Sequence, residues 1–403
     1  MARRKPVRVL YCENNVDGTI GGSYFSLLYL AKGLDRSRFE PIVVFYTEHT
    51  LLSAFKDAKI ETIVWPQTRF FSFASRMRGP LKTPMLVVQK ALNSVRGFVL
   101  PALSRAWFLV RRNIKIVHLN NSVLGNHDWM LAARLTGRKC LTHERGINER
   151  YTGLAKYFGS RLDAVICISD AVKRNMQERG AGFANLKTIY NGLDPAMMKV
   201  RTPAGELRAR HGIEPEHVVV GMIGNIRAWK GQETVVRAID IVRRTCPNVR
   251  CVFVGDTSPQ DREYERKLHE ELAARGIKEH VIFAGYQRNV ADYLMMFDVV
   301  IHASVLPEPF GRVLLEAMAC RKPVIGARAG AVPEILEDGE SGLTFPPGDA
   351  EHLAVAITKL IVDRDEARRL GDNGHDRLMR EFHINRNVES TERIYETLVG
   401  AAH

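Results

Sequence analysis

A chain of 403 residues exceeds one ordinary hydrophobic core, so two domains are expected. Apolar content of 45% and a mean hydropathy of −0.15 describe a soluble globular protein, and no run of about 18 apolar residues exists to span a membrane. The net charge of +13 is unevenly spread: residues 1–195 carry 30 Lys+Arg against 14 Asp+Glu, and residues 196–403 carry 28 against 31.

Six scattered cysteines without a CxxC pair read as reduced and mostly buried, as in a cytoplasmic chain. The opening MARRKPVRVL is basic but runs straight into a strand pattern, so no secretory signal is expected.

The first predicted strand is VRVLYC at 7–12. DGTIGGS at 17–23 follows it and opens a helix over 23–34, where Gly21 and Gly22 permit close backbone approach to a ligand. A plain tight turn is the alternative. Further strands are predicted at 41–46, 61–65, 114–120, 139–143 and 164–169. His118 and Asn120 sit at the end of IVHLNN, and His143 ends a strand in LTHERG, where a neutral ring can exchange hydrogen bonds with a sugar hydroxyl. A structural role is the alternative for each.

The stretch 66–113 breaks the strand–helix alternation. No Asp or Glu occurs from Thr62 to His127, whereas ten basic residues lie between Arg69 and Lys115. Met85, Val88, Leu92, Val95 and Val99 form an amphipathic helical stripe with Lys90 and Arg96 away from it, and Pro101 is expected to interrupt the helix. Two readings stand. The helices pack on the sheet with solvated cations, or Arg76, Arg78, Lys90 and Arg96 belong to a patch that lies on an anionic membrane surface. Nucleic acid is not expected, because no recognised motif accompanies the charge.

After Asn191–Gly192 comes a polar connection with Pro195, Pro203 and Pro215, and the alternation then restarts. Strands are predicted at 218–224, 251–256, 281–286, 299–304 and 323–327. Apolar strands separated by helices indicate parallel sheets covered on both faces, hence an α/β chain of two Rossmann-like domains with ligands at the carboxyl ends of the strands in a cleft between them. The expected boundaries are 1–195, with the basic apolar insertion near 66–113, then 196–380, and a C-terminal helix over 381–403 crossing back to the first domain.

GNIRAWKG at 224–231 places Arg227 and Lys230 at a strand end, where two cations can meet a diphosphate. EPFGRVLLE at 308–316 sets Glu308 and Glu316 eight positions apart. Pro309 disfavours helix at Glu308, so a helix is predicted to start near Gly311 with Glu316 on its second turn. The free first-turn amides make a phosphate site, and carboxylates on either side suit hydroxyls, which together describe a sugar nucleotide. Glu334 in GAVPEIL starts another short helix and can orient a ligand or cap the helix.

Taken in order, the GG pair at 21–22, LTHE, ISDAVK, IYNGLD, GNIRAWKG, FVGD, EPFGRVLLE, GAVPEI and GLTFPPGD resemble the retaining, nucleotide-sugar-dependent glycosyltransferases of family four, over nearly the whole chain. The resemblance implies a GT-B fold and a UDP- or GDP-linked donor as substrate, with no cofactor and no catalytic metal. It implies that Glu316 binds the ribose, Glu308 meets the transferred sugar, and backbone amides of Phe310, Gly311, Arg312 and Val313 hold the diphosphate. Lys230 would neutralise the leaving group with a nearby cation, the Gly21–Gly22 loop would close over phosphates or acceptor, and His143 would hold a donor hydroxyl. Gly255 and the region around Tyr286 would line the nucleobase pocket.

Two positions depart from the pattern. Asn225 stands where the family often has arginine, so Arg227 is expected to supply the charge, and Ala331 replaces a glycine. The expected reaction is front-face displacement with retention, onto a glycan or lipid-linked acceptor of envelope polysaccharide such as lipopolysaccharide core. The alternatives are double displacement through Glu308, a sugar-nucleotide epimerase or phosphorylase, and a non-catalytic sensor. The expected location is cytoplasmic, peripheral on the inner face of the plasma membrane.

Overall fold

The computed structural model describes residues 5–14, 21–65, 68, 70–74 and 81–400. The chain forms two compact units: Met1–Tyr190 with Asn387–His403, and Asn191–Arg386. The first division falls a few residues before the sequence boundary of 195, and the last helix is shared out at Asn387 rather than at 381.

The first unit holds β1 (Val7–Cys12), β2 (Phe39–Phe45), β3 (Glu61–Val64), β4 (Ile116–Leu119), β5 (Lys139–Glu144), β6 (Ala164–Cys167) and β7 (Leu186–Thr188) in the order β3-β2-β1-β4-β5-β6-β7. Every pairing is parallel, with Val9 opposite Ile116 at the centre. Val9, Leu10, Tyr11 and Cys12 are all fully buried, as continuous apolar strands must be when helices cover both faces. The order reverses between β1 and β4, which makes their carboxyl ends the topological switch point.

The second unit holds β8 (Val218–Ile223), β9 (Val249–Val254), β10 (Val281–Phe283), β11 (Val299–His302), β12 (Val324–Ala327) and β13 (Leu343–Phe345) in the order β10-β9-β8-β11-β12-β13, again all parallel. Its switch point lies between β8 and β11, the two strands that lead into GNIRAWKG and toward EPFGRVLLE. β7 and β13, three residues each, are not among the strands predicted from the sequence.

Two sequence expectations change. Pro101 does not end its helix: Lys82–Ser94 continues through a π-helical turn, Val95–Val99, into the helix Leu100–Arg111. Proline lacks the N–H that would bond four residues back, and a wider turn absorbs the loss. The reading of 66–113 as helices packed on the sheet fails for Lys82–Ser94, which buries no residue. The final helix, Ile384–Gly400, buries Val388, Ile394 and Tyr395. Tyr395 packs edge-on to Phe39 at 5.4 Å, and Glu392 accepts the Asp35 amide at 2.7 Å, so this helix is part of the first core.

Candidate active site

In the second unit, β8 ends at Ile223 and a short turn of 3-10 helix, Ala228–Lys230, precedes the helix Gln232–Val242. β11 ends at His302, and the chain then runs to the helix Arg312–Ala319, whose N-cap Gly311 has φ 85°. The two loops meet at one carboxylate. Lys230 Nζ donates to Glu308 Oε2 at 2.8 Å, Ser304 Oγ donates to the same oxygen at 3.0 Å, and His302 Nε2 lies 3.2 Å from it. Burial alone would raise the Glu308 pKa. The His302 hydrogen bond and the Lys230 charge outweigh it and hold the carboxyl well below the ordinary range. Glu308 is therefore a fixed anion.

The backbone holds Glu308 from the other side. Its carbonyl accepts the Ala331 amide at 2.9 Å, and it bridges to Gly330, whose φ is 61°. A Cβ on Gly330 would overlap the Glu308 main chain, so the GAVPE turn needs glycine there. Ala331, where the resemblance expects glycine, is buried in an αR conformation that alanine adopts freely. Glu334 is half-buried in the short helix that follows.

Glu316 is half-buried and accepts from Arg312 Nη2 at 3.2 Å, one helical turn back. Phe310 is buried and packs edge-on to Phe382, which anchors the helix start and leaves main chain, not the aromatic side chain, for a ligand. Val313 is half-buried on the first turn. Arg227 lies 3.1 Å from Asp261 Oδ2, so part of its charge is already answered, and Asn225 is exposed. Gly255 follows β9 with φ 154°, where a Cβ would strike the Gly224 carbonyl, so glycine is what lets these two strand ends touch. Tyr286 beyond β10 is 70% exposed.

The strand ends of the first unit carry a buried polar network. His118 Nε2 and His143 Nδ1 are 2.7 Å apart, His118 Nδ1 and Tyr395 Oη are 2.5 Å apart, and Tyr395 meets Tyr11 Oη at 2.6 Å. Burial, with Arg145 nearby, pushes His118 down to about 3 and His143 well below its usual value, so both rings are neutral at neutral pH. Asn120 Nδ2 donates to Glu13 at 2.5 Å and its Oδ1 accepts from Arg145 at 2.8 Å. Glu144 accepts from Ser122 Oγ at 2.9 Å and the Val123 amide at 3.1 Å, and burial raises its pKa to about 7.

His118 and Asn120 are fully buried and hydrogen-bonded inside the unit. His143 is 1% exposed in the same network. Gly21 and Gly22 are exposed at the start of the helix Gly22–Gly33, while residues 17–20 of that loop lie outside the described residues. Arg76 and Arg78 also lie outside them, and Lys90 and Arg96 are exposed. The sequence reading missed His302, Ser304, Glu13, Glu144 and Tyr395. The first two ended a predicted strand, VVIHAS, which was the available signal.

Residues 20–197 match the model of Glycosyltransferase Family 4, and residues 204–377 match that of Glycosyl transferases group 1. The chain belongs to the family-four glycosyltransferases. This glycosyltransferase is 28% identical to N-acetyl-alpha-D-glucosaminyl L-malate synthase of Bacillus anthracis over 71% of this chain and 75% of that one. It is 24% identical to the lipopolysaccharide core biosynthesis mannosyltransferase LpsB of Rhizobium meliloti (strain 1021), over 81% and 96%. The crystal structure of Anabaena Alr3699/HepE in complex with UDP and glucose is similar over 97% of this chain and all of that chain, at 23% identity and a TM-score of 0.79. Two parallel sheets with flanking helices and this likeness make the fold GT-B, with two Rossmann-like domains.

Proposed function

We propose that this glycosyltransferase takes a sugar from a UDP- or GDP-linked donor and transfers it, with retained anomeric configuration, to a glycan or lipid-linked acceptor. The observation that carries the reading is the convergence of Lys230, His302 and Ser304 on Glu308 at the switch point of the second unit. A fixed anion suits an oxocarbenium-like sugar, and a cation beside it suits a departing diphosphate. Support for a uridine diphosphate donor comes from the HepE complex, and support for a lipopolysaccharide or polysaccharide acceptor comes from the relative named as a core mannosyltransferase.

In this reading the first-turn amides of the helix Arg312–Ala319 hold the diphosphate, Glu316 receives the ribose hydroxyls, and Gly255 and Tyr286 border the base. As the C1–O bond breaks, the electron pair goes to the diphosphate, where Lys230 and Arg227 supply positive charge in place of a metal ion. The acceptor hydroxyl attacks C1 on the face being vacated, and its proton passes to the leaving phosphate oxygen. No protein base is then needed. The reaction is placed in the cytoplasm, where nucleotide sugars are made.

Incubation with a panel of nucleotide sugars and candidate acceptors, read by mass spectrometry with product anomers assigned by NMR, tests the proposal. An inverted product, or epimerised donor in the absence of acceptor, would overturn it.

A further inference from the structure

The continuous helical arm from Lys82 to Arg111 exposes apolar side chains that a packed helix would hide. Val88, Leu92, Val95, Val99, Leu103 and Trp107 are each between 41% and 61% exposed. They recur three or four residues apart. Steps of four drift around a regular α-helix, and the π-helical turn Val95–Val99 rotates less per residue, which offsets that drift and keeps the stripe continuous. The opposite face of the second half is spoken for: Pro101, Ala102, Arg105 and Leu109 are buried, and Arg105 pairs with Asp128 at 2.8 Å.

Charge identifies what covers the stripe. Lys82, Lys90, Arg96 and Arg111 are exposed on the arm, and no acidic residue occurs between Thr62 and His127 to answer them. Arg96 lies over the Phe71 ring at 4.7 Å and Arg111 over the Trp107 ring at 4.9 Å, so aromatic and cationic groups share the surface. A second copy would bring like charges together. Among the described residues no helix is long and apolar enough to cross a membrane.

We infer that the arm Lys82–Arg111 docks flat on an anionic lipid bilayer, its apolar stripe in the acyl boundary and its cations among the headgroups. The inference concerns location, and it stands or falls independently of the transfer chemistry.

Flotation of the full chain with phosphatidylcholine vesicles, against mixed phosphatidylcholine–phosphatidylglycerol vesicles, tests it. Binding is expected to the anionic vesicles and to weaken with salt. Lys90→Glu with Arg96→Glu, and separately Leu92→Glu with Trp107→Glu, should each lower partitioning by about tenfold or more. Both pairs are exposed, so circular dichroism and turnover of a water-soluble acceptor should be unchanged. Binding to neither vesicle, equal binding to both, or partitioning indifferent to both pairs would overturn the inference. So would a dimer in sedimentation that Leu92→Glu dissociates, since that assigns the face to a second copy.

Discussion

Lys230 Nζ lies 2.8 Å from Glu308 Oε2, although 78 positions separate the two residues. Their side chains are only 20% and 12% exposed, so the pair is largely removed from solvent screening. It joins the loop after β8 to the loop that leads into the helix Arg312–Ala319, and it helps hold the Glu308 carboxyl below its ordinary range.

Lys230→Ala should lower turnover roughly hundredfold or more, the scale of losing one charge stabiliser in a transition state. It should also cost about 2–3 kcal/mol of stability, because Glu308 is left buried with only His302 and Ser304. Glu308→Gln should lose turnover with a smaller stability cost, since the amide needs no counter-charge. Steady-state kinetics and urea unfolding of both variants and the double mutant would check this. Additive losses would mean the two residues work apart.

Gly330→Ala should displace Glu308 without touching its side chain. The new Cβ would overlap the Glu308 main chain at a φ of 61°, and the expected cost is about 2 kcal/mol or more with an activity loss like that of Glu308→Gln. Full activity with unchanged stability would show that the GAVPE turn does not hold the carboxylate.

Tyr395→Phe removes one hydroxyl from the chain linking Tyr11, His118 and His143. The rings still fill the space, so the cost should be that of orphaned buried partners, about 1–3 kcal/mol. Tyr395→Ala adds a cavity and should cost about 3–5 kcal/mol. Denaturant midpoints distinguish the two. In NMR titrations, the His118 and His143 rings should stay neutral from pH 8 down to about 5.

Glu144 and His118 impose opposite pH dependences. The folded pKa of Glu144, about 7, exceeds its ordinary 4.5, so the stability from keeping it protonated is complete below 4.5 and is lost as pH rises through 7. His118, pushed from 6.5 to about 3, contributes stability above 6.5 that is lost as pH falls toward 3. Glu144→Gln should therefore flatten the decline of stability between pH 4.5 and 7, by up to roughly 3 kcal/mol. An unchanged slope in thermal unfolding across that range would contradict the assignment.

The strand–helix alternation, the two-unit chain and the helix start at Gly311 were all legible in the amino-acid order, whereas the pairing of Lys230 with Glu308, 78 positions away, was not. Each rests on local steric or periodic rules: apolar runs for doubly covered strands, Pro309 before a helix, glycine where a strand end turns. The exposed stripe at 88–99 was legible as a pattern, but its being uncovered was not, because periodicity says which side chains share a face and not what lies against it. Tertiary structure alone decided that Ser304 and His302 hold Glu308, and that Phe310 turns into the core. It also decided that His118 and Asn120 are buried beneath their strand ends. Those facts depend on partners distant in sequence, Tyr395 lying 277 residues from His118, and no rule of spacing reaches that far.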